Sequence, residues 1–215
     1  MMDANTLIAS SAACGFLARI FRPGLDRDLL RRCAADRFAE SWPIDGAGAD
    51  GDAGLALLGP VFDGLDEPAL DSIERDNTAL FIGPDNPVPM WESVWTTKDR
   101  LLFADCTSDV EQAFARAGFV VPGAGREPAD HLAHEFSFIA ALLARTVAAV
   151  EAGNTIQARR QIETAAAFFD QHPARWAADC LRDIEARAST DFYRGAALLG
   201  TDAMAALQRL FTVAA

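Results

Sequence analysis

Acidic and imidazole side chains crowd together at Glu127, Asp130, His131, His134 and Glu135. On a helix, a spacing of four residues places Glu127, His131 and Glu135 on one face. Such groups support two kinds of chemistry. Carboxylates can receive an arginine guanidinium through charge-assisted, bidentate hydrogen bonds. Carboxylates and imidazoles together can bind a metal ion, as they do between the helices of some bundles.

A helical metal-binding enzyme that uses Glu127, His131, His134 and Glu135 is the alternative hypothesis. Bundle metal sites of this kind draw a Glu-x-x-His pair from each of two helices, but only one further histidine, His172, occurs in the chain. The order H-x-x-H-E also differs from the zinc-protease patterns. We therefore predict no metal, no cofactor and no catalysis. The cluster is expected either to cap its helix or to bind a partner.

Two other chemical motifs can be set aside. Residues 46–51 match the pattern G-x-G-x-x-G, but a dinucleotide fingerprint requires a preceding strand, and here Trp42-Pro43 precedes it. The acidic residues Asp45, Asp50 and Asp52 would also repel a pyrophosphate. Neither a Walker A sequence nor a G-x-S-x-G elbow occurs.

The charge of the chain is concentrated in one segment. Of a net charge of -12, residues 40–92 carry twelve acidic groups and one basic group, Arg75, and hence -11. This charge excludes nucleic acid and anionic lipid as partners and favours either a basic partner or a solubilising surface. Four separated cysteines indicate reduced thiols. The acidic N-terminus and the absence of a long apolar run predict a cytoplasmic protein that does not insert into the membrane.

Helical periodicity dominates the sequence, which predicts an all-α bundle of about 8–10 helices. The first helix should end at Pro23-Gly24 and the second should cover residues 25–40. Residues 45–54 are expected to form a loop, followed by an apolar turn at 55–58. A helix should begin at Asp66 or Glu67, and Ser108 should cap another. The clearest apolar stripe at helical spacing, which we call the seam, contains Leu132, Phe136, Ile139, Leu143, Val147 and Val150.

The run Pro122-Gly123-Ala124-Gly125 is the clearest linker. It predicts an N-terminal helical subdomain at residues 1–121, a hinge at 122–126 and a C-terminal subdomain at 127–215. Between the helices, residues 83–90 must be irregular because they hold three prolines. The flanking aromatic residues Phe81, Trp91 and Trp95 are expected to form an apolar groove or part of the core.

Three segments together resemble the TorD/DmsD-like chaperones, the redox-enzyme maturation proteins of molybdoenzymes. Residues 127–138 are similar to the signature E-P-x-D-H-x-x-x-E-x-x-F. Residues 89–95 resemble the family's proline-rich segment with its E-S-V-aromatic run. Residues 168–176 are similar to its F-x-x-x-H-x-x-x-W stretch. The segments occur in the family's order over most of the chain.

This resemblance implies an all-helical protein that binds the twin-arginine leader, and the catalytic subunit that carries it, of a molybdopterin oxidoreductase. Binding would hold the precursor in the cytoplasm until its cofactor is loaded. Such a leader suits acidic and aromatic surface in a helix-in-groove mode. The predicted hinge between helical halves leaves a monomer or a domain-swapped dimer open, and the resemblance leaves weak nucleotide binding open. The expected peptide-binding residues are Asp130, His131, Glu135, Glu127, Trp91, Glu92, Ser93, Trp95 and Phe81.

Overall fold

The computed structural model describes residues 3–44, 48–84, 87–121 and 127–214. Within these ranges the chain forms ten α-helices and two short 3₁₀ turns, Phe38–Glu40 and Pro173–Arg175. The predicted all-α class is confirmed. The helices are α1 (Ala4–Ile20), α2 (Arg27–Ala35), α3 (Ala49–Asp63), α4 (Glu67–Phe81), α5 (Glu92–Thr96), α6 (Asp105–Arg116), α7 (Leu132–Glu151), α8 (Thr155–Gln171), α9 (Ala177–Arg187) and α10 (Asp191–Ala214).

Capping side chains fix several helix starts where the sequence predicts them. Asp66 accepts a hydrogen bond from Ala69 N (2.8 Å) at the start of α4, and Asn154 accepts one from Gln157 N (3.0 Å) at the start of α8. Such caps satisfy backbone N–H groups that have no partner inside the helix. Gly153, which ends α7, has a φ of +70°, a conformation that favours glycine.

The core is built around α7 and α10. Helix α7 packs against α1 and α8, and α10 packs against α3 and α9. The apolar seam of α7 buries Leu132, Phe136, Ile139 and Leu143 completely, whereas Val150 at its far end is exposed. By length and composition α7 is apolar enough to cross a membrane. Because α7 packs against α1 and α8, its apolar composition is that of a core helix.

Helices α3 and α10 approach each other unusually closely through two glycines. A Cβ atom added at Gly54 would lie 2.9 Å from Gly195 O, and one added at Gly195 would lie 2.8 Å from Leu58 Cγ. Both distances are too short for atoms that are not bonded to each other. The absence of side chains at these two positions therefore sets the spacing between the helices.

A buried carboxylate on α4 accepts hydrogen bonds from the residues just before α10. Asp76 accepts hydrogen bonds from Ser189 N, Thr190 N and Thr190 Oγ. Thr190 Oγ in turn accepts from Tyr193 N (3.4 Å). A side chain distant in the sequence thus supports the start of the last helix.

Some predicted boundaries are wrong. Residues 49–58 are helical and belong to α3, because glycine there serves helix packing rather than a turn. Helix α6 begins at Asp105, before Ser108, and α2 ends at Ala35. On α1, apolar periodicity predicts a buried stripe through Ile8, but the buried stripe contains Leu7, Cys14 and Leu17, and Ile8 is half exposed.

The division into two subdomains stays a prediction. The hinge at residues 122–126 lies outside the described residues, as does part of the predicted loop, residues 45–47. The main packing pairs nevertheless join the two sides of that boundary, α1 with α7 and α3 with α10. Helices from both sides therefore share one hydrophobic core.

Candidate functional site

Two segments that resemble the chaperone signatures lie side by side. Leu132 N donates to Met90 O (2.8 Å), and Glu92 N donates to Asp130 O (2.9 Å). These bonds pair Trp91 with His131 in an isolated antiparallel bridge. We call residues 89–96 and 127–135, joined in this way, the junction. Its two halves meet at the starts of α5 and α7 and hold each other in register.

Asp130 lies at the centre of the junction and is completely buried. Its Oδ2 atom accepts a hydrogen bond from Ser93 N (2.8 Å), which caps α5 from outside that helix. Its Oδ1 atom has no partner among the described residues. Asp130 therefore fixes the short helix that carries Trp95, and with it the orientation of the tryptophan segment.

Within the junction, His131 and His134 are buried as neutral imidazoles. His131 Nδ1 accepts from Ala133 N (3.1 Å) and so caps α7. Burial lowers the pKa of His131 to about 3, with the charges of His134 and Arg22 adding to the effect. Burial also lowers the pKa of His134 to about 4. At neutral pH neither ring carries a charge.

A second buried cluster lies between α5, α7 and the end of α8. Glu92, Glu135 and His172 each place a ligand-type atom within 4.8 Å of the others. A hydrogen bond joins His172 Nδ1 and Glu92 Oε2 (2.8 Å), and Trp176 Nε1 donates to Glu135 Oε2 (3.2 Å). Burial and the charges of Glu92 and Asp130 raise the pKa of Glu135 well above its ordinary value.

Glu127 is the junction carboxylate that solvent can reach, with 34% of its side chain exposed. Its Oε2 atom lies 3.9 Å from His134 Nε2. The His134 ring is 5.2 Å from that of His131, which meets Trp91 edge-on at 5.5 Å. Burial raises the pKa of Glu127, and the positive charge of Arg22 opposes part of that rise. Glu127 and Trp91 thus lie at the two ends of a row of rings.

Both junction tryptophans are partly exposed. Trp95 Nε1 donates to Pro89 O (2.7 Å), whereas Trp91 Nε1 is buried without a partner among the described residues. The Arg100 guanidinium lies over the Trp95 ring at 5.4 Å.

The loop that follows exposes three consecutive apolar side chains, namely Leu101 (64%), Leu102 (42%) and Phe103 (69%). Arg100 and Phe103 adopt left-handed φ angles of +52° and +63°, which are costly for such residues. We call Leu101, Leu102 and Phe103 the apolar loop. It lies outside the residues predicted from sequence, although three large apolar residues in a polar stretch are a usable signal.

The structure corrects the expected geometry of the acidic groove. Asp130, Glu135, Glu92 and Ser93 are buried, so none of them faces solvent in this conformation. The carboxylate of Asp130 instead accepts from the backbone N–H of Ser93, that of Glu135 accepts from an indole, and that of Glu92 bonds an imidazole. Phe81 is a core residue whose ring packs against Tyr193 at 5.4 Å. Of the expected groove, Trp91, Trp95 and Glu127 remain accessible.

The acidic segment 40–92 is also partly neutralised. Arg27 of α2 pairs with Glu67, Asp71 and Glu74 of α4, and Arg31 pairs with Glu67 at 2.7 Å. Asp76 and Glu92 from the same segment are buried. These groups hold helices together and contribute less to the external field than the sequence suggests.

The alternative hypothesis, a metal site with its ligands on one helix, does not match the geometry. Within the described part of the chain, Glu127, His131, His134 and Glu135 form no common ligand group. Glu127 precedes α7, so the helical spacing assumed for it does not apply. His131 Nδ1 is occupied by the helix cap.

Comparison with known proteins agrees with the resemblance of the three segments. Residues 49–182 match the nitrate reductase delta subunit family. The chain is also 29% identical over 104 residues to proteins named Tat proofreading chaperone DmsD from Salmonella typhi and Salmonella typhimurium. That alignment covers 48% of this chain and 47% of each relative, so it spans about half their length. Because the family match covers more than half of the sequence and contains all three segments, the chain belongs to the nitrate reductase delta subunit family.

Proposed function

We propose that the protein is a cytoplasmic chaperone for a molybdopterin oxidoreductase. It would bind the twin-arginine leader of the catalytic subunit and hold the precursor until the cofactor has been inserted. The family match over residues 49–182 is the observation that carries this proposal, since it contains the whole junction. The relatives named as Tat proofreading chaperones support the same client class.

The accessible apolar surface can bind the apolar stretch of such a leader. Trp91, Trp95 and the apolar loop expose large side chains in one region of sequence just after the irregular segment. Exposed apolar surface of this kind marks interaction sites, and an amphipathic or apolar helix can bury it. We assign the apolar stretch of the leader to this surface.

Glu127 is the residue that we assign to a leader arginine. The Coulomb attraction between a carboxylate and a guanidinium is stronger at a partly buried position than in bulk water, and the fork of the guanidinium matches the carboxylate. Trp91 Nε1 and His131 Nε2 are buried polar atoms without partners among the described residues, and a carbonyl of a bound peptide would satisfy the indole N–H. Both features lie on the same row of rings as Glu127.

The remaining predicted residues act by positioning. Asp130 fixes α5 through Ser93 N, and His131 fixes the start of α7. Both are buried, so we assign them the task of presenting Trp91 and Trp95 rather than that of touching the arginines. This assignment revises the direct contacts expected for Asp130 and Glu135. Asp130 acts on the leader through α5, whereas Glu135 bonds Trp176 inside the protein and is assigned no contact with the leader.

Binding without covalent chemistry fits the state of the partly exposed thiol. Burial and the charges of Glu92 and Asp130 raise the pKa of Cys106 to about 11. A thiol with that pKa is protonated at neutral pH and is a poor nucleophile. This thiol therefore offers no reactive nucleophile toward a client at neutral pH.

Calorimetric titration with a synthetic leader tests the proposal. The peptide would carry two adjacent arginines and an apolar stretch of about 12 residues, and a second peptide would replace both arginines by lysines. We expect Glu127→Gln and Phe103→Ser each to weaken binding about tenfold, which equals about 1.4 kcal/mol. The lysine peptide should bind the wild type more weakly because lysine lacks the bidentate geometry.

Matched controls lie on α8. Ile156 is 83% exposed and Glu163 is an exposed carboxylate paired with Arg159. Ile156→Ser and Glu163→Gln should therefore leave affinity unchanged. Equal affinity of all five proteins for the peptide would contradict the assigned surface, and absence of binding by the wild type would contradict the proposed function.

A further inference from the structure

We propose that Glu92, Glu135 and His172 form a buried site for a divalent transition-metal ion, for which zinc is the best candidate. The site is distinct from the residues that we assign to the leader. It also differs from the one-helix metal cluster considered in the sequence, because its three ligands come from α5, from α7 and from the residue after α8.

The donor set is one that zinc uses. Two carboxylate oxygens and one imidazole nitrogen lie within 4.8 Å of one another. Zinc binds such atoms at about 2.0–2.2 Å, which places tetrahedral ligands about 3.4 Å apart. Small side-chain rotations would bring the three atoms to that spacing, and water could fill the fourth position.

Unsatisfied atoms point to a ligand at this place. Glu92 is 1% exposed and Glu135 is completely buried, yet the Oε1 atom of each has no partner among the described residues. Burying two carboxylates together is costly unless a positive charge compensates them. A divalent cation bound by two carboxylates and a neutral imidazole forms an electrically neutral unit, which suits a buried position.

Outer contacts already orient the ligands. Trp176 Nε1 donates to Glu135 Oε2, and Asp130 caps the helix that begins with Glu92. Groups behind the ligands orient them in this way in established metal sites. The His172 ring packs in a tilted arrangement against Phe168, with 4.7 Å between the ring centroids.

The surface offers an approach to the cluster at His172. A groove of about 630 Å³ runs between α6 and α8, and its lining includes Phe168, Gln171 and His172. His172 also forms the hydrogen bond to Glu92. Motion of this one side chain would connect the groove with the two carboxylates, which gives the ion a path that leaves the core helices in place.

Elemental analysis of the full, untagged chain tests the site. The protein would be stripped with a chelator, loaded with zinc chloride and freed of excess metal. We expect about one zinc ion per chain and a rise in melting temperature on loading. Glu135→Gln, which keeps an acceptor for Trp176, and His172→Gln should each lose at least about tenfold in zinc affinity. Trp176→Phe should lose about tenfold by removing the outer contact.

Two controls separate this site from other zinc ligands. Glu127→Gln removes the neighbouring carboxylate beside His134, and Cys106→Ser removes the partly exposed thiol. Both should retain zinc like the wild type, and circular dichroism would verify the fold of every variant. Substoichiometric zinc in the wild type, or equal retention by folded Glu135→Gln and His172→Gln, would overturn the proposal. Leader binding is measured separately, so either result stands apart from the chaperone function.

Discussion

At the scale of single residues, burial decides which charge each junction group carries. His131 and His134 are neutral because their pKa values fall to about 3 and about 4 inside the protein. Glu135 is pushed in the other direction, since burial and neighbouring carboxylates raise its pKa. The two histidines therefore stabilise the folded protein more at higher pH, and the Glu135 carboxyl group stabilises it more at lower pH.

The unfolding free energy should fall when the pH drops from about 6.5 toward 4. An unfolded histidine takes up a proton near pH 6.5, while folded His131 and His134 stay neutral to about 3 and about 4. The stabilisation that the two neutral histidines contribute is complete above about pH 6.5 and is lost progressively as the pH falls toward about 4 and about 3. Glu135 opposes this trend, because burial and the neighbouring carboxylates raise its pKa in the folded protein above the ordinary value. Two histidines lose stabilisation as the pH falls while one carboxyl group gains it, so the expected net result is a lower free energy of unfolding.

Urea unfolding at pH 7 and at pH 5 measures this pH dependence. His134→Gln removes one of the two histidine contributions and should flatten the dependence between these values. The assignment of two neutral buried histidines would be wrong if the wild type were equally stable, or more stable, at pH 5.

At the scale of helices, contacts between helices explain glycines whose role cannot be predicted from the local composition. Gly54 looks like a loop residue in a stretch of glycine, alanine and aspartate, but it lies inside α3 against Gly195 of α10. Gly15, in contrast, lies inside α1 with no atom within 4 Å of an added Cβ. The same residue type therefore has a packing role in one helix and none in the other.

Alanine substitutions at these glycines should have opposite effects. Gly15→Ala should stabilise the protein by about 0.5–1 kcal/mol, because alanine favours helix and no neighbour is displaced. Gly54→Ala gains the same propensity but forces its Cβ against the α10 backbone, so a net loss of about 1–3 kcal/mol is expected. Midpoints of urea unfolding report both changes. Equal stabilisation by both substitutions would show that the α3–α10 spacing is not fixed by glycine.

Local signals in the sequence predict the later helices well. Asn154, the His172-Pro173 break and the stripe of Trp176, Cys180 and Ile184 identify α8 and α9 because capping and amphipathic burial are local properties. Helix α3 is missed since its glycines are explained only by contact with a helix far along the chain. The pairing of Glu92 with His172 across 80 residues is likewise invisible in periodicity, as is the burial of Asp130.

At the scale of the whole molecule, the junction and the shared core connect the two parts of the chain. Residues 97–104 join α5 to α6, and Lys98 and Arg100 are exposed there. Helices before this segment contact helices after it, including α1 with α7 and α3 with α10. Cleavage of the segment would therefore leave the buried contacts between the two parts intact.

The shared core suggests that the fold can be assembled from two pieces. Limited trypsin digestion should cut after Arg100 or Lys98, yet the products should elute together in gel filtration and separate only in denaturant. Changing both residues to Gln should remove this cut, and early separation of the fragments under native conditions would contradict the expectation. Co-expressed fragments ending and beginning near Arg100 should then complement each other, so each could carry half of a reporter that becomes active only when the fold is complete.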